Sequence, residues 1–500
     1  MVPELASTGP EMASNGRKPE RSWFTRRREL AILGMVLAAG VVLLGRHITS
    51  WSTDFDEQVY LASGDLLRHG FKLGNQVFAS QPPLFYSLLR GAEIVTGGSA
   101  TLLRVVTVIL TLAGATAAWA IVRSRAGRPA ALAAAALVIA APGVINGAGV
   151  VSADIPSVTL GTLALLATQR ACRLPRWAPL AGALLAAAVM IKLLAVPFVP
   201  AIIALAWMRR PPRSSIVAFG AGFLAVVAIL GIAYLGVLGP LWQGVIGLHM
   251  TARNVKIGFY SNAPTFQAVA LVVLGYLGLF AILAAGLADW QRGGVRAWVS
   301  ARLDLLVLLI DGIAFCALQR PVQAHQLVII GWPLAMLAAT CVPRRIERGP
   351  AIALAAVGVA LLTPMAVAGR PVESKSQRSS LLSAAALVAA HTKPNDQIVS
   401  DLPEVTLLAG RVPAPMTVDP SYVRIESGQL SAALIRKAAL QADAVVVGRS
   451  FKLVPGITPM LSRLFRRHDS VDGVTVWTAP RHAASSPTRP PRHSAHAAGS

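Results

Sequence analysis

The chain has 500 residues, 54% hydrophobic and only 14% charged, with a mean hydropathy of +0.59. Soluble domains carry about a quarter charged residues, so this composition excludes an ordinary soluble class and places most of the chain in lipid. The net charge of +23 would suit a nucleic-acid partner, but the basic residues sit between apolar runs, where they set membrane orientation, and no nucleic acid is implied.

Residues 1–28 are polar and basic and lack the small-residue cleavage site that follows a signal peptide's apolar core, which predicts a cytoplasmic tail and an anchoring first span. A crossing helix needs about 20 mostly apolar residues. Candidate spans fall at 29–46, 99–122, 129–147, 155–170, 178–191, 194–208, 215–238, 265–288, 303–318, 325–342 and 350–368. The fifth and sixth share one stretch between basic flanks and suit a shallow hairpin. With the N-terminus inside, the cytoplasmic segments hold 21 Lys and Arg residues against eight in the opposite short loops. Cys172, Cys316 and Cys341 lie in or beside apolar runs and form neither a disulfide framework nor a metal-ligand spacing.

The first outer loop, 47–98, gathers Asp54, Asp56 and Glu57 ahead of an amphipathic stretch. Phe55, Val59, Ala62 and Leu66 recur at helical spacing, predicting a short helix along the membrane surface with Asp56, Tyr60 and Ser63 on its other side. Asp54 or Thr53 could cap that helix, and its carboxylates could serve the helix N-terminus alone. Acids beside aromatics at a membrane face are costly, which favours a functional use.

Sugar transfer from a phosphate-linked donor needs a carboxylate to take the acceptor's proton and cations to hold the leaving phosphate. Asp56 is the candidate base, with Glu57 beside it and Tyr60 and Tyr86 as positioning residues. Asp154 opens the fourth span in a second outer loop, where a helix-terminal carboxylate and catalytic support are equally open. In the 239–264 loop His249, Arg253 and Lys256 are spaced for one helix face, suiting either a phosphate or anionic lipid headgroups. Arg320 and His325 bracket the last short outer loop as further candidates. Lys192, between the fifth and sixth spans, and Asp311, mid-span in the ninth, read as structural ions.

After residue 369 the pattern changes. Strands are predicted at 397–401, 444–448 and 474–478 and helices at 379–391 and 428–441, giving a small extracytoplasmic α/β domain over 370–481. Residues 482–500 are low-complexity and predicted disordered. The intervening 29–369 forms the transmembrane domain, and no P-loop occurs.

The order Asp56-Glu57-x-x-Tyr60, Pro82 to Tyr86, Asp154-Ile-Pro, Lys192 and a His325–Ala339 stretch containing Trp332-Pro333 resembles the GT-C membrane glycosyltransferases, in their protein O-mannosyltransferase and aminoarabinose-transferase-like branch. The resemblance spans about residues 30–345. It implies an α-helical polytopic GT-C-like fold, a polyprenyl-phosphate sugar donor and an acceptor outside the cytoplasm, and the alanine-, arginine- and proline-heavy composition suggests a bacterial plasma membrane. It also implies Asp56 as the catalytic acid-base residue, Asp154 in support, and outer-loop basic residues on the phosphate. The branch often has Lys before Pro-Pro-Leu, where this chain has Gln81; Lys72, Arg90 or the Arg253/Lys256 pair would then carry that charge. No cofactor is required by the sequence, and a divalent cation stays open. The competing classes are a transporter or flippase, whose path intramembrane ions would mark, and a scaffold or sensor built on the C-terminal domain.

Overall fold

The computed structural model describes residues 26–50, 54–252, 266–287, 294–319, 323–341, 349–369 and 372–478. The basic tail before residue 26, the cap candidate Thr53, the phosphate candidates Arg253, Lys256 and Arg320, and the low-complexity 482–500 tail fall outside the described residues.

Each predicted span falls on helical structure, with 129–147 split into two helices and 194–208 and 325–342 each opening in a 3-10 turn. The bundle is built from α1 (Arg26–Gly45), α4 (Ala100–Ala126), α5 (Arg128–Ala140), α6 (Pro142–Gly147), α7 (Asp154–Ala171), α8 (Ala178–Ile191), α9 (Phe198–Arg209) and α10 (Arg213–Ala233). It continues with α13 (Phe266–Leu287), α15 (Leu303–Leu318), α16 (Val328–Thr340) and α17 (Gly349–Ala368). Between these lie α2 (Phe55–Arg68), α3 (Pro83–Thr96), α11 (Leu238–Trp242), α12 (Leu248–Ala252) and α14 (Val295–Ser300). Among the described residues α1, α4 and α10 are long and apolar enough to cross a membrane unaided. On α10, Val217, Leu224 and Ile232 remain exposed, a surface that hydrocarbon solvates and water would not.

The bundle core centres on α16, where Trp332, Leu334, Ala335 and Met336 are fully buried against α4, α5 and α13. Gly114 permits that approach, since a Cβ there would lie 2.6 Å from the Trp332 ring. One end of the bundle is closed by ion pairs. Arg125 grips Asp304 through its two terminal guanidinium nitrogens (2.7 and 2.6 Å), and buried Glu29 receives Arg123 at 2.7 Å and Arg128 at 3.3 Å. Every basic partner here comes from the segment 123–128, which the sequence assigned to the inside.

At the other end a second apolar core joins α2 and α3 to the C-terminal domain, with Tyr60, Leu61, Phe85 and Tyr86 packed alongside Val412 and Val418. This changes the expectation for α2. Tyr60 and Ser63, placed by periodicity on its outward side, are buried: Tyr60 packs edge-on against Phe85 of α3, and the C-terminal domain meets the helix at Phe55. The helix is a layer inside the protein rather than a raft on a membrane surface.

The C-terminal domain packs α18 (Lys375–His391), α19 (Pro403–Leu408), α20 (Tyr422–Glu426), α21 (Ala432–Ala439) and α22 (Ile457–Leu464) on a five-stranded sheet. The strands are β1 (Gln397–Ser400), β2 (Val412–Pro413), β3 (Ala444–Val447), β4 (Arg467–Val471) and β5 (Val474–Thr478), in the order β2-β1-β3-β5-β4. The β2-β1-β3 half is parallel and the β3-β5-β4 half antiparallel. Central β3, Ala-Val-Val-Val, is buried throughout, as a strand covered on both faces must be. Asp472 and Gly473, both at positive φ (49° and 79°), make the two-residue hairpin turn between β4 and β5.

Candidate active site

The chain breaks its helices at three places that meet at the α2 end of the bundle. Asp54 is the N-cap of α2, its carboxylate accepting the Asp56 N–H at 2.9 Å. Lys192 ends α8 in an extended conformation (φ −155°, ψ 136°); beyond it α9 packs on α7 and α15 while α8 packs on α7 and α10, so the two helices do not form the hairpin that the sequence suggested. His325 lies in a 3-10 turn, Ala324–Leu327, held by a Gln323/Gln326 capping box and by the Tyr276 hydroxyl donating to Leu327 O at 2.7 Å.

These breaks bring three carboxylates onto two basic groups. Lys192 Nζ donates to Asp154 Oδ2 at 2.8 Å. His325 Nδ1 meets Asp54 Oδ2 at 2.9 Å, while its Nε2 stands 3.6 Å from Asp56 Oδ2 and 3.8 Å from Asp154 Oδ2. Asp154 and Lys192 are almost wholly buried, whereas the Asp56 side chain keeps 34% of its surface open. Asp154 Oδ1 and His325 Nε2 are buried without a hydrogen-bond partner. The cluster therefore has one accessible carboxylate and two unfilled hydrogen-bonding positions.

The charges tune one another. Burial raises Asp56, the Asp54 carboxylate adds to that, and His325 and Lys192 oppose it, leaving Asp56 at about 6. Burial would lower His325, but Asp54 and Asp154 outweigh it and raise the imidazole to about 9. Asp54 is held below the ordinary carboxylate range: burial acts upward, and His325 with the backbone N–H groups of Asp56 and Glu57 prevails. At neutral pH the arrangement is an imidazolium flanked by carboxylates, with Asp56 ionised and able to accept a proton near that pH.

Glu57, although adjacent to Asp56, faces elsewhere. Both of its oxygens are taken by Arg104 (2.7 and 3.0 Å), and the Val151 N–H donates to Oε1 at 2.9 Å. Arg104 also donates to Ile48 O and Ser50 O, so Glu57 joins α2 to α4 and to the segment before Asp154. Its geometry is that of a strut. Asp154 likewise makes no N-cap hydrogen bond; the capping role belongs to Asp54.

Tyr60 is buried with its ring edge-on to Phe85 at 4.7 Å, and burial followed by the nearby Asp56 charge raises its hydroxyl. Tyr86, edge-on to the same Phe85, accepts the Ser80 N–H at 3.1 Å and fixes the loop that carries Gln81. His249, on α12, has its imidazole held low by burial and then by the Lys192 charge, against Ser80 and Asp419 acting upward. His325, the other histidine of the predicted phosphate set, stands in the cluster itself. Gln81 is buried just before α3, whereas Lys72 and Arg90 are exposed, and among the described residues no ion pair links either to the cluster. Lys192 and Asp54 are members of the cluster that sequence reasoning set aside, one as a structural ion and the other as a cap.

The C-terminal domain holds α2 from above. Arg449 lies over the Phe55 ring at 4.4 Å and the Tyr422 ring at 5.3 Å. Its backbone N–H, with those of Gly448 and Phe451, donates to buried Asp401 at 2.7–2.8 Å. Arg424 covers Phe78 at 3.8 Å. No set of His, Cys, Asp and Glu among the described residues is arranged to hold a metal ion.

Residues 80–234 match the Dolichyl-phosphate-mannose-protein mannosyltransferase family. No curated protein matches the chain by sequence. In structure the chain is similar to ArnT from Cupriavidus metallidurans bound to undecaprenyl phosphate, at TM-score 0.59 and 14% identity over 91% of this chain and 99% of that one. It is also similar to the Archaeoglobus fulgidus oligosaccharyltransferase in complex with zinc and sulfate (TM-score 0.51, 13% identity, 86% and 69% covered). A third similarity is to the arabinofuranosyltransferase AftD from Mycobacteria (0.50, 15%, 91% and 40%). The fold is therefore the GT-C arrangement that the motif order implied: a polytopic helical bundle with a small α/β domain.

Proposed function

We propose that this GT-C-fold chain is a membrane glycosyltransferase that moves a sugar from a polyprenyl-phosphate donor to an acceptor hydroxyl on the non-cytoplasmic side. The observation that carries the reading is the cluster itself: three carboxylates on Lys192 and His325, with Asp56 alone left substantially open. The similarity to ArnT solved with undecaprenyl phosphate supports the donor class. The excess of Lys and Arg at the Arg125–Asp304 end supports the orientation, with the cluster and residues 372–478 outside.

In this reading the Asp56 carboxylate takes the proton of the acceptor hydroxyl as its oxygen bonds to the anomeric carbon. The bond from that carbon to the donor's phosphate oxygen breaks, and polyprenyl phosphate leaves. His325 and Lys192 keep Asp56 ionised and its neighbours in place, and Asp154 anchors Lys192. In this reading His249, with Arg253 and Lys256 on the same loop, holds the leaving phosphate. Glu57 acts through Arg104 as a positioning residue. Sugar release from a panel of polyprenyl-phosphate sugars by the purified protein and by Asp56→Asn tests the reading. Turnover that vanishes in the variant supports it, and an active Asn variant sinks the assignment of Asp56.

A further inference from the structure

A second polar cavity lies at the opposite end of α2 from the cluster. It has a volume of about 460 Å³, within the ~300–1,000 Å³ of small-ligand pockets, and opens between the C-terminal ends of α2 and α3 and the C-terminal domain. Asp65 and Arg68 line it from α2, Glu93 from α3, and Asn395 and Arg411 from the domain. Nine residues separate Asp56 from Asp65, so the cavity stands about 14 Å along the helix from the cluster.

Its polar groups are built in and unfinished. Glu93 is 2% exposed and its Oε2 has no hydrogen-bond partner, and Arg68 Nε is also buried and unpartnered. Arg68 Nη2 is fixed by Asp65 at 2.7 Å. Two glycines shape the place: a Cβ on Gly64 would lie 2.8 Å from Glu93 Oε1, and one on Gly98 would lie 3.4 Å from both the Arg68 guanidinium and Glu93 Oε2. Gly98 also sits at φ +81°, where a side chain would be strained. Arg411 spends its donors on Thr392, Ala389 O and Ala409 O, which locks that wall.

The charges define the ligand. Two carboxylates disfavour an anion, and two guanidinium groups, with the His69 imidazole 3.4 Å from Asp65, disfavour a cation. A neutral ligand with hydroxyls, each both donor and acceptor, answers Arg68 Nε and Glu93 Oε2 together, while Leu61, Leu407 and Val412 offer an apolar wall to the C–H face of a ring. Burial, with Asp65 adding and Arg68 opposing, brings Glu93 to about 7, so its carboxyl can donate or accept near neutrality.

We propose that this cavity is a carbohydrate subsite that holds a sugar ring of the acceptor, at a distance from the reacting hydroxyl. Its role as an acceptor site rests on the glycosyltransferase reading; its binding of sugar does not. The test is calorimetric titration of the full chain in lipid nanodiscs with mannotetraose, arabinotetraose and galactotetraose. Saturable binding of at least one is expected, weakened tenfold or more by Arg68→Met, kept within threefold by Glu93→Gln, and unchanged in Asp56→Asn. Ala100→Trp, which fills the cavity from its rim and leaves the Asp65–Arg68 pair intact, should abolish binding in a protein that melts like the parent. Failure of the folded parent to bind any tetraose, or equal binding by the Ala100→Trp variant, overturns the proposal. Turnover that survives in Asp56→Asn would instead overturn the catalytic reading and leave tetraose binding untouched.

Discussion

The two ends of the helical bundle use the same side chains to opposite effect. At the Asp304 end each buried carboxylate is met by guanidinium groups, and Asp304 is gripped on both oxygens by a single arginine. At the Asp154 end three carboxylates share one lysine and one histidine, and Asp154 Oδ1 and His325 Nε2 have no hydrogen-bond partner. Asp304 has no oxygen left to offer a ligand, although Glu29 Oε2 and Arg125 Nε at the same end lack hydrogen-bond partners. An acid-rich cluster with an open member can exchange a proton.

The largest effect that tests this contrast is on rate. Asp56→Asn should lower transfer by about 10²–10⁴-fold, the usual worth of a general base, with the melting temperature unchanged or raised. Next come the cations. Arg125→Met leaves Asp304 buried without its partner and should cost about 3–5 kcal/mol of stability, read by thermal unfolding, with the pH–rate profile unmoved. Lys192→Met should cost stability too, but it also removes a charge that holds Asp56 down, so the acid limb of the profile should shift upward. A Lys192→Met enzyme with an unshifted limb would show that the two ends do not differ in kind.

The parent's own profile is the third test. Asp56 must be ionised to act as base, so transfer should fall as pH drops through about 6. His325 must stay protonated, so transfer should fall again as pH rises through about 9. The same shift has a stability sign: an imidazole raised from 6.5 to about 9 contributes stability fully below 6.5, and loses it as pH rises through 9. The smallest effect belongs to Arg449→Ala, which removes a cation over Phe55 worth about 0.5–2 kcal/mol. It should raise KM severalfold while both pH limbs stay in place.

Hydropathy made the helices readable, because a lipid-spanning segment is written in consecutive residues. Asp56, Asp154 and His325 could be found for a related reason: each breaks an apolar pattern beside a predicted span. What could not be read were the partnerships. Lys192 meets Asp154 across 38 residues and Arg104 meets Glu57 across 47, and no local period encodes either. Glu57 and Asp56 carry the same charge one residue apart, and only the position of Arg104 assigns them different work. Strand β4 was missed because Arg-His-Asp-Ser-Val is largely exposed and lacks an apolar alternation, and β2 because it is two residues ending in proline.

Strand β2 has a consequence for how the chain is made. It is the edge of its sheet, and its Val412 is buried among residues of α2 and α3 as well as beside Val418 and Leu407 of its own domain. About 340 residues separate α2 from β2, so at a synthesis rate of ~5–20 residues per second α2 precedes its partner by roughly 20–70 s. The dock is in place before the strand that needs it emerges. Gene order thus acts as a chaperone for an edge that, in a separately expressed domain, would be free to pair with another copy.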